Sequence, residues 1–225
     1  MQKLIKNIPK DYEKKINEYS LMGYRLITIA YKEISHFSNR ENYEKDLIFL
    51  NLIIFSNKLK SETTKVIEEL NYANIKSVIC TGDNMLTAIS VGKECKLIEE
   101  GAVVVFPIVS DDCKTIDDVK WECLSEEAYT FDKIRLGLYK NTFDTFNKDF
   151  VVACEGREFE FFKKNNGLSF ILEKCVVFAR FSSGLKKALV EDLRSLNKNI
   201  LFCGDGANDS GAISSADVGI ALSKK

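Results

Sequence analysis

The sequence predicts an α/β protein, with a doubly wound parallel sheet over residues 57–225 and a small α+β piece over residues 1–56. Two observations predict the sheet. After Lys60, helical and strand patterns alternate, as they do when helices cross between parallel strands. The last roughly 50 residues hold three short apolar strands separated by helices and polar turns. A third observation sets the first piece apart, because its strands alternate apolar and polar residues.

The N-terminal piece is predicted to contain one helix and two strands. The helix is expected from Pro9 to about Met22, where Gly23 stops it. An alternating strand follows at 24–34, and a second strand at 46–55. Two successive strands of this kind favour antiparallel pairing.

The rest of the chain is predicted to alternate helices and strands, with 101–174 the least legible stretch. An apolar run bounded by turn residues marks each strand, and apolar residues at helical spacing mark each helix. The expected strands are 75–80, 102–106, 149–154, 175–180, 199–203 and 218–222, and the expected helices are 61–73, 84–97, 183–196 and 210–216.

Composition excludes several classes of protein. The 32 basic and 33 acidic residues give a net charge of −1, so no nucleic-acid partner is expected. The seven cysteines form no C-x-x-C pair, which is typical of reduced, cytosolic thiols. The longest apolar runs, 47–55 and 102–109, are well short of the ~20 residues of a membrane-spanning helix. We therefore expect this chain to be soluble and cytosolic.

The first polar turn, VICTGDN, follows the strand expected at 75–80. Ligands of open α/β sheets bind at such strand ends. Gly82 allows close approach of the backbone, the Thr81 hydroxyl can donate a hydrogen bond, and Asp83 begins a helix whose free N–H groups favour an anion. The turn would suit a phosphate, although an ordinary N-capped turn would give the same pattern.

The second polar turn, CGDGANDSGA, carries two carboxylates four residues apart. Asp205 directly follows a strand, and Asn208 and Asp209 lie at the start of the next helix. Paired carboxylates on such a turn can hold an octahedral Mg²⁺ that keeps several waters and one phosphate oxygen. A plain Gly-Asp turn with an Asx cap is the alternative, but it leaves the second carboxylate unexplained.

Lys186 and Lys187 lie on the first turns of the helix after the strand that ends at Arg180. A lysine there can neutralise a phosphate held on a neighbouring strand. From this segment alone, two solvated lysines are an equal interpretation. The order of Thr, Lys and paired Asp at successive strand ends favours phosphoryl transfer.

A nucleophile for that reaction is not found. Transfer to protein needs an aspartate directly after a buried strand. Asp132 follows a polar segment, and Asp205 has Ala207 where a phosphatase would place its acid. The chain alone is therefore expected to be inactive.

The motifs resemble those of the P-type ATPases, whose phosphorylation domain has a Rossmann-type, haloacid dehalogenase-like fold. CTGDNMLTAISVGKECKLI, VFARFSSGLKKALVEDL and CGDGANDSGAISSADVGIALS are similar to three of the family's segments, and the start of the chain is similar to the end of its nucleotide-binding domain. The resemblance implies that 1–56 is that end, and that 57–225 is the phosphorylation domain without its DKTGT strand, the first and central strand of the sheet. Two strand edges would then be left unpaired.

The resemblance also implies roles for individual residues. Lys186 rather than Lys187 would hold the phosphoryl group, with Thr81 and Asp209 as its catalytic partners. The ligands that it implies are ATP and Mg²⁺. The nucleotide and phosphate contacts would be Thr81, Gly82, Asp83, Arg180, Lys186 and Asn208, and the metal ligands Asp205 and Asp209.

The ending GDGANDSGAISSADVGIALS is most similar to the fifth class of these pumps, in its polyamine-transporting branch. The resemblance implies ATP hydrolysis through an aspartyl-phosphate, coupled to transport across a membrane, by analogy an endolysosomal or other internal one. Its partners would be the actuator domain, the transmembrane domain and the rest of the nucleotide-binding domain of the same pump. We thus expect this chain to be a segment of a longer protein.

Two alternatives stay open from the sequence. One is a stand-alone haloacid dehalogenase-like phosphatase, which would need a D-x-D pair that the chain lacks. The other is a non-catalytic binding or regulatory module that kept the fold without the nucleophile. Reading the coding sequence upstream of Met1 distinguishes both from a pump.

Overall fold

The computed structural model describes residues 4–34, 39–124 and 150–222. Asp132, rejected above as the nucleophile, lies outside these residues. Among the helices in the described ranges, none has the length and apolar character needed to cross a membrane.

The N-terminal piece forms a sheet of three strands with a helix beside it. Its elements are β1 (Ile5–Asn7), α1 (Tyr12–Leu21), β2 (Arg25–Tyr31), the short α2 (Arg40–Tyr43) and β3 (Leu47–Phe55). β2 and β3 pair antiparallel, as the sequence predicts. The parallel strand β1 at the other edge of β3 was not predicted.

The remaining residues alternate helix and strand. The strand predicted at 75–80 is reduced to its last two residues, and the strand β6 was not predicted. In chain order, the elements are α3 (Thr63–Tyr72), β4 (Ile79–Cys80), α4 (Met85–Glu94), β5 (Val103–Ile108), β6 (Lys120–Cys123), β7 (Phe150–Glu155), α5 (Gly156–Lys164), α6 (Leu168–Lys174), β8 (Cys175–Ala179), α7 (Ser183–Ser195), β9 (Leu201–Gly204), α8 (Ser210–Ser215) and β10 (Val218–Ala221).

Five of these strands form one sheet, in the order β4-β8-β7-β5-β6. Its pairs are parallel except for β5 with the edge strand β6, which is antiparallel. Phe159 of α5, Ile171 of α6 and Leu189 of α7 pack in one buried cluster, and Ala88 and Ile89 of α4 in another. Neighbouring residues of β7 belong to different clusters, so helices cover both faces of the sheet. The predicted α/β class is confirmed.

The described strands of the main part do not form a single sheet, in keeping with the expectation that two strand edges are left unpaired. β9 and β10 pair in parallel as a separate two-stranded sheet. Within the described ranges, β4 pairs with β8 alone and β9 with β10 alone, because no strand lies between them to carry hydrogen bonds across. The interpretation that a central strand is missing at this gap stays a prediction.

Candidate active site

The predicted polar residues follow strands β4, β8 and β9. Thr81 directly follows β4, Arg180 follows β8, and Asp205 follows β9. β4 and β8 are parallel neighbours, so Thr81 and Arg180 lie at the same end of the sheet.

Backbone hydrogen bonds fix the turn after β4 to the end of β8. The Thr81 amide donates to the Phe178 carbonyl at 2.8 Å, and the Phe181 amide donates to the Thr81 carbonyl at 3.0 Å. The Arg180 amide donates to the Asp83 carbonyl at 2.9 Å, with Arg180 itself at a φ of 55°. The first polar turn is therefore held by its neighbour strand, with the Arg180 side chain exposed.

Within this turn the Thr81 hydroxyl makes two local contacts. It accepts from the Asp83 amide at 3.1 Å, and it lies 3.4 Å from the Asp83 carboxylate, to which it can donate. Asn84 caps α4 by accepting from the Thr87 amide at 2.9 Å, as a helix N-cap should. The exposed Gly82 leaves the backbone at this turn open to solvent.

The two lysines of α7 have different environments. Lys186 Nζ lies 2.7 Å from Asp209 Oδ1, and their side chains are only 13% and 11% exposed. Lys187 is half exposed and pairs with Glu191 on its own helix at 3.6 Å. Lys186 is thus the lysine that the structure brings to the second polar turn.

Asp209 is held closely by its own turn. The Gly206 amide lies 3.4 Å from Asp209 Oδ2, and the Asp209 amide donates to the Gly206 carbonyl at 3.0 Å. A Cβ on Gly204 would lie only 2.5 Å from the Asp209 Cβ. Glycine at 204 is therefore required for Asp209 to occupy this position.

Asp205 and Asn208 are exposed on the same turn. Among the described ion pairs, Lys186 pairs with Asp209 and not with Asp205. Among the described residues, no group of three or more His, Cys, Asp or Glu side chains could hold a metal ion. Any cation here would draw on the carboxylates of Asp205 and Asp209, completed by water and by a ligand.

Cys80 connects the two polar turns electrostatically. Burial raises the pKa of the Cys80 thiol to about 12, while Lys186 lowers it and Asp209 raises it. Both charges therefore act on the Cys80 thiol, but less strongly than its burial does. The interpretation that the Thr81 turn and the Lys186–Asp209 pair form one site stays a prediction.

Sequence reasoning missed Arg25, the first residue of β2. Its Nε lies 3.3 Å from Asp83 Oδ1. The same side of the N-terminal piece supplies Ser20, whose hydroxyl accepts from the Asn84 side chain at 3.3 Å. Nothing in the local sequence distinguishes Arg25 from a solvated arginine, because the contact joins residues far apart in the chain.

The chain is similar to cation-transporting ATPases along nearly all its length. No protein-family model matches it. The chain is 36% identical to the vacuolar cation-transporting ATPase YPK9 of Saccharomyces cerevisiae over 96% of its residues. It is 33% identical to the probable cation-transporting ATPase 13A5 of Homo sapiens over 97%, and 32% identical to the polyamine-transporting ATPase 13A3 of Mus musculus over 96%. The chain belongs to the P-type cation-transporting ATPases.

Membership of the P-type ATPases confirms the resemblance read from the motifs. The chain spans only 16% of the yeast pump and 19% of each mammalian pump named above. The polar turns thus belong to a segment that such pumps contain as a small part of their length.

Proposed function

We propose that this chain carries one half of the catalytic site of a P-type ATPase. In the complete pump, ATP would phosphorylate an aspartate outside these 225 residues, and the aspartyl-phosphate would drive transport across a membrane. The observation that carries the proposal is the shielded Lys186–Asp209 pair, in a chain similar to pumps along nearly all its length.

Lys186 supplies the positive charge for the transferred phosphoryl group. Its ammonium is poorly exposed, so it is weakly screened and stabilises developing negative charge more than a surface lysine could. In a phosphate complex, the Lys186 ammonium would donate hydrogen bonds to both Asp209 and a phosphoryl oxygen. The Thr81 hydroxyl would donate its hydrogen bond to a second phosphoryl oxygen instead of to Asp83.

The metal ligands proposed for Mg²⁺ are Asp205 and Asp209. Oxygen ligands and few protein donors fit this ion, which usually keeps several waters. When bound, Mg²⁺ supplies charge that offsets that of the phosphate oxygens. Asp205 presents an exposed carboxylate, and Asp209 would offer its Oδ2 while Oδ1 stays with Lys186.

The nucleotide side of the site is proposed to contain Gly82, Asp83, Arg180 and Asn208. To these we add Arg25. Its guanidinium lies at the Asp83 carboxylate and is more than half exposed, so it can reach an anion bound at this turn.

The phosphorylated aspartate is proposed to lie on a strand that pairs between β4 and β9, the gap at which the structure divides into two sheets. That strand, the actuator domain, the remaining nucleotide-binding domain and the transmembrane helices would come from the rest of the pump. A relative named as a polyamine transporter motivates the proposal that polyamines are the cargo, moved across an internal membrane.

The decisive experiment uses the protein encoded by the complete reading frame, incubated with Mg²⁺ and γ-labelled ATP. We expect an acid-stable phosphoprotein. Lys186→Ala should reduce its rate of formation at least about 100-fold, and the matched change Lys187→Ala less than about twofold. A reading frame without a DKTGT segment would contradict the proposal.

A second arm tests this chain alone, which should remain unlabelled by ATP. If it became labelled, the nucleophile would lie within it. If it hydrolysed p-nitrophenyl phosphate, the phosphatase alternative would replace the pump. Stimulation of the complete ATPase by spermine, but not by K⁺ at equal ionic strength, would support polyamine cargo.

A further inference from the structure

Residues 201–221 form a unit, β9-α8-β10, that buries little apolar surface of its own. Leu201 is 60% exposed and Val218 52%, whereas Ala212 is fully buried. This unit nevertheless carries Asp205 and Asp209, which the proposed function needs in fixed positions. Contacts other than its own apolar core must therefore set where the unit lies.

One such contact is the Lys186–Asp209 pair at the start of α7, already described. A single ion pair fixes one point. The helix α8 also packs on α7, where the Lys187 side chain lies against Gly211, and a further polar contact would fix the far end of the unit.

Arg194 provides that attachment near the end of α7. Its Nη2 lies 2.9 Å from Asp217 Oδ1, and its Nη1 donates to the Ser215 carbonyl at 3.0 Å. Asp217 Oδ2 accepts from the Ile200 amide at 2.9 Å. One guanidinium thereby joins α7 to the last residue of α8, and through Asp217 to the residue that precedes β9.

The two attachments are well separated. Lys186 and Arg194 are eight residues apart on one helix, which corresponds to about 12 Å along its axis. Two points at this distance prevent the unit from tilting relative to α7. The planar guanidinium suits the role, because its fixed donors serve the carbonyl and the carboxylate at once.

We propose that Arg194 is a positioning residue that holds the β9-α8-β10 unit on α7, so that Asp205 and Asp209 stay in register with Lys186. The role in metal binding rests on the proposed function; the attachment itself does not. Because Arg194 is half exposed, its ion pair contributes little to global stability, and its effect is local opening of the unit.

The test compares Arg194→Gln with Lys163→Gln by hydrogen exchange in the full 225-residue chain. Lys163 is the matched control. It lies on α5 and makes a 2.6 Å ion pair with Asp192 of α7, so it joins α7 to α5 and not to the β9-α8-β10 unit. Arg194→Gln should speed exchange of amides in 201–221 by about tenfold and leave β7 and β8 unchanged. Arg194→Lys should give an intermediate exchange rate, because one ammonium cannot contact the Ser215 carbonyl and the Asp217 carboxylate with the geometry of a guanidinium.

A second readout is the midpoint of a Mn²⁺ titration, with Asp205→Asn identifying binding at this turn. Arg194→Gln should raise the midpoint about fivefold, and Lys163→Gln should not. Unchanged exchange in 201–221, equal effects of the two variants, or faster exchange with an unchanged midpoint would each overturn the proposal.

The two proposals fail separately. If the wild-type chain binds no Mn²⁺ through Asp205, the metal part of the proposed function fails. The amides of Gly206 and Asp209, whose turn places the Asp209 carboxylate, then decide the positioning role: faster exchange in Arg194→Gln supports it, and unchanged exchange overturns it.

Discussion

The five-stranded and two-stranded sheets differ in what holds them together. In the larger sheet, Val105, Val152 and Val177 have no exposed surface. In the smaller sheet every residue of β10 is exposed, and Leu201 of β9 is more exposed than not. Burial of apolar side chains stabilises the first, whereas the ion pairs of Lys186 and Arg194 position the second.

This difference teaches where the chain can tolerate change. Apolar packing is non-directional and depends mainly on volume, so it tolerates the exchange of one apolar side chain for another of similar size. An ion pair is lost when either of its two charged groups is removed. The proposed metal ligands lie on the part of the molecule that is held by particular atoms, so a single substitution there can displace them.

The largest expected effect is in the large sheet. Phe178→Ala removes a ring that is 1% exposed and that contacts Phe159 and Phe181 edge-on. We expect it to lower the free energy of unfolding by about 3–5 kcal/mol, as lost transfer energy and a cavity. Leu201→Ala in β9 should change it by at most about 0.5 kcal/mol. Urea denaturation measures both, and equal losses would contradict the comparison.

The next effect concerns the ion pair between the two regions. Asp209→Ala leaves the poorly exposed Lys186 without its partner, so we expect a loss of about 2–4 kcal/mol. The double variant Lys186→Met/Asp209→Leu should recover most of that loss, because neither charge is then left desolvated. Urea denaturation of the wild type and the two variants tests this, and a double variant no more stable than Asp209→Ala would refute it.

A smaller loss is expected from Gly219→Ala in β10. A Cβ there would collide with the backbone carbonyl of Ile213, which cannot rotate away. We expect a loss of about 1–3 kcal/mol, by displacement of α8 from β10. Gly184→Ala on α7, where the nearest atom is 4.0 Å away, should cost nothing. Thermal unfolding measures both variants. Equal unfolding midpoints for Gly219→Ala and Gly184→Ala would contradict the predicted collision at Gly219.

The smallest expected effect is a loss of stability at acidic pH that depends on Asp217. The Ile200 amide, aided by Arg194, lowers the pKa of Asp217 below its ordinary 3.8. A carboxylate with a lowered folded pKa stabilises above its unfolded pKa, and this contribution is lost as pH falls through the folded value, here below about pH 4. The difference in unfolding temperature between wild type and Asp217→Asn should therefore shrink from pH 7 to pH 3. A constant difference would exclude this carboxylate as a source of acid sensitivity.

Much of this architecture was readable from local patterns. The α/β class, the antiparallel pair β2–β3 and the helices α3, α4, α7 and α8 follow from periodicity, which the backbone imposes over short distances. The helices α5 and α6 were not predicted. β1 was missed because three residues carry no recognisable period, and β6 because an edge strand of four gives almost none. The division into two sheets agrees with the two unpaired strand edges expected from the resemblance, while the absent central strand itself stays a prediction.

The candidate site shows the same limit. The polar residues at strand ends were identified from their order along the chain, and the Lys186–Asp209 contact agrees with that grouping. Whether Asp205 and Asp209 bind a metal remains a prediction. The contacts of Arg25 with Asp83 and of Arg194 with Asp217 could not be predicted, since each requires the fold to be known first.

The burial of Cys80 has a consequence for oxidation chemistry. Peroxides and other oxidants attack the thiolate, and its population at neutral pH falls tenfold for each unit by which the pKa rises. Burial raises the pKa of Cys80 to about 12, so little of this thiol is ionised at neutral pH. The Cys80 thiol is thus less reactive than an exposed thiol, and we expect an oxidant to modify the exposed Cys203 of β9 before Cys80.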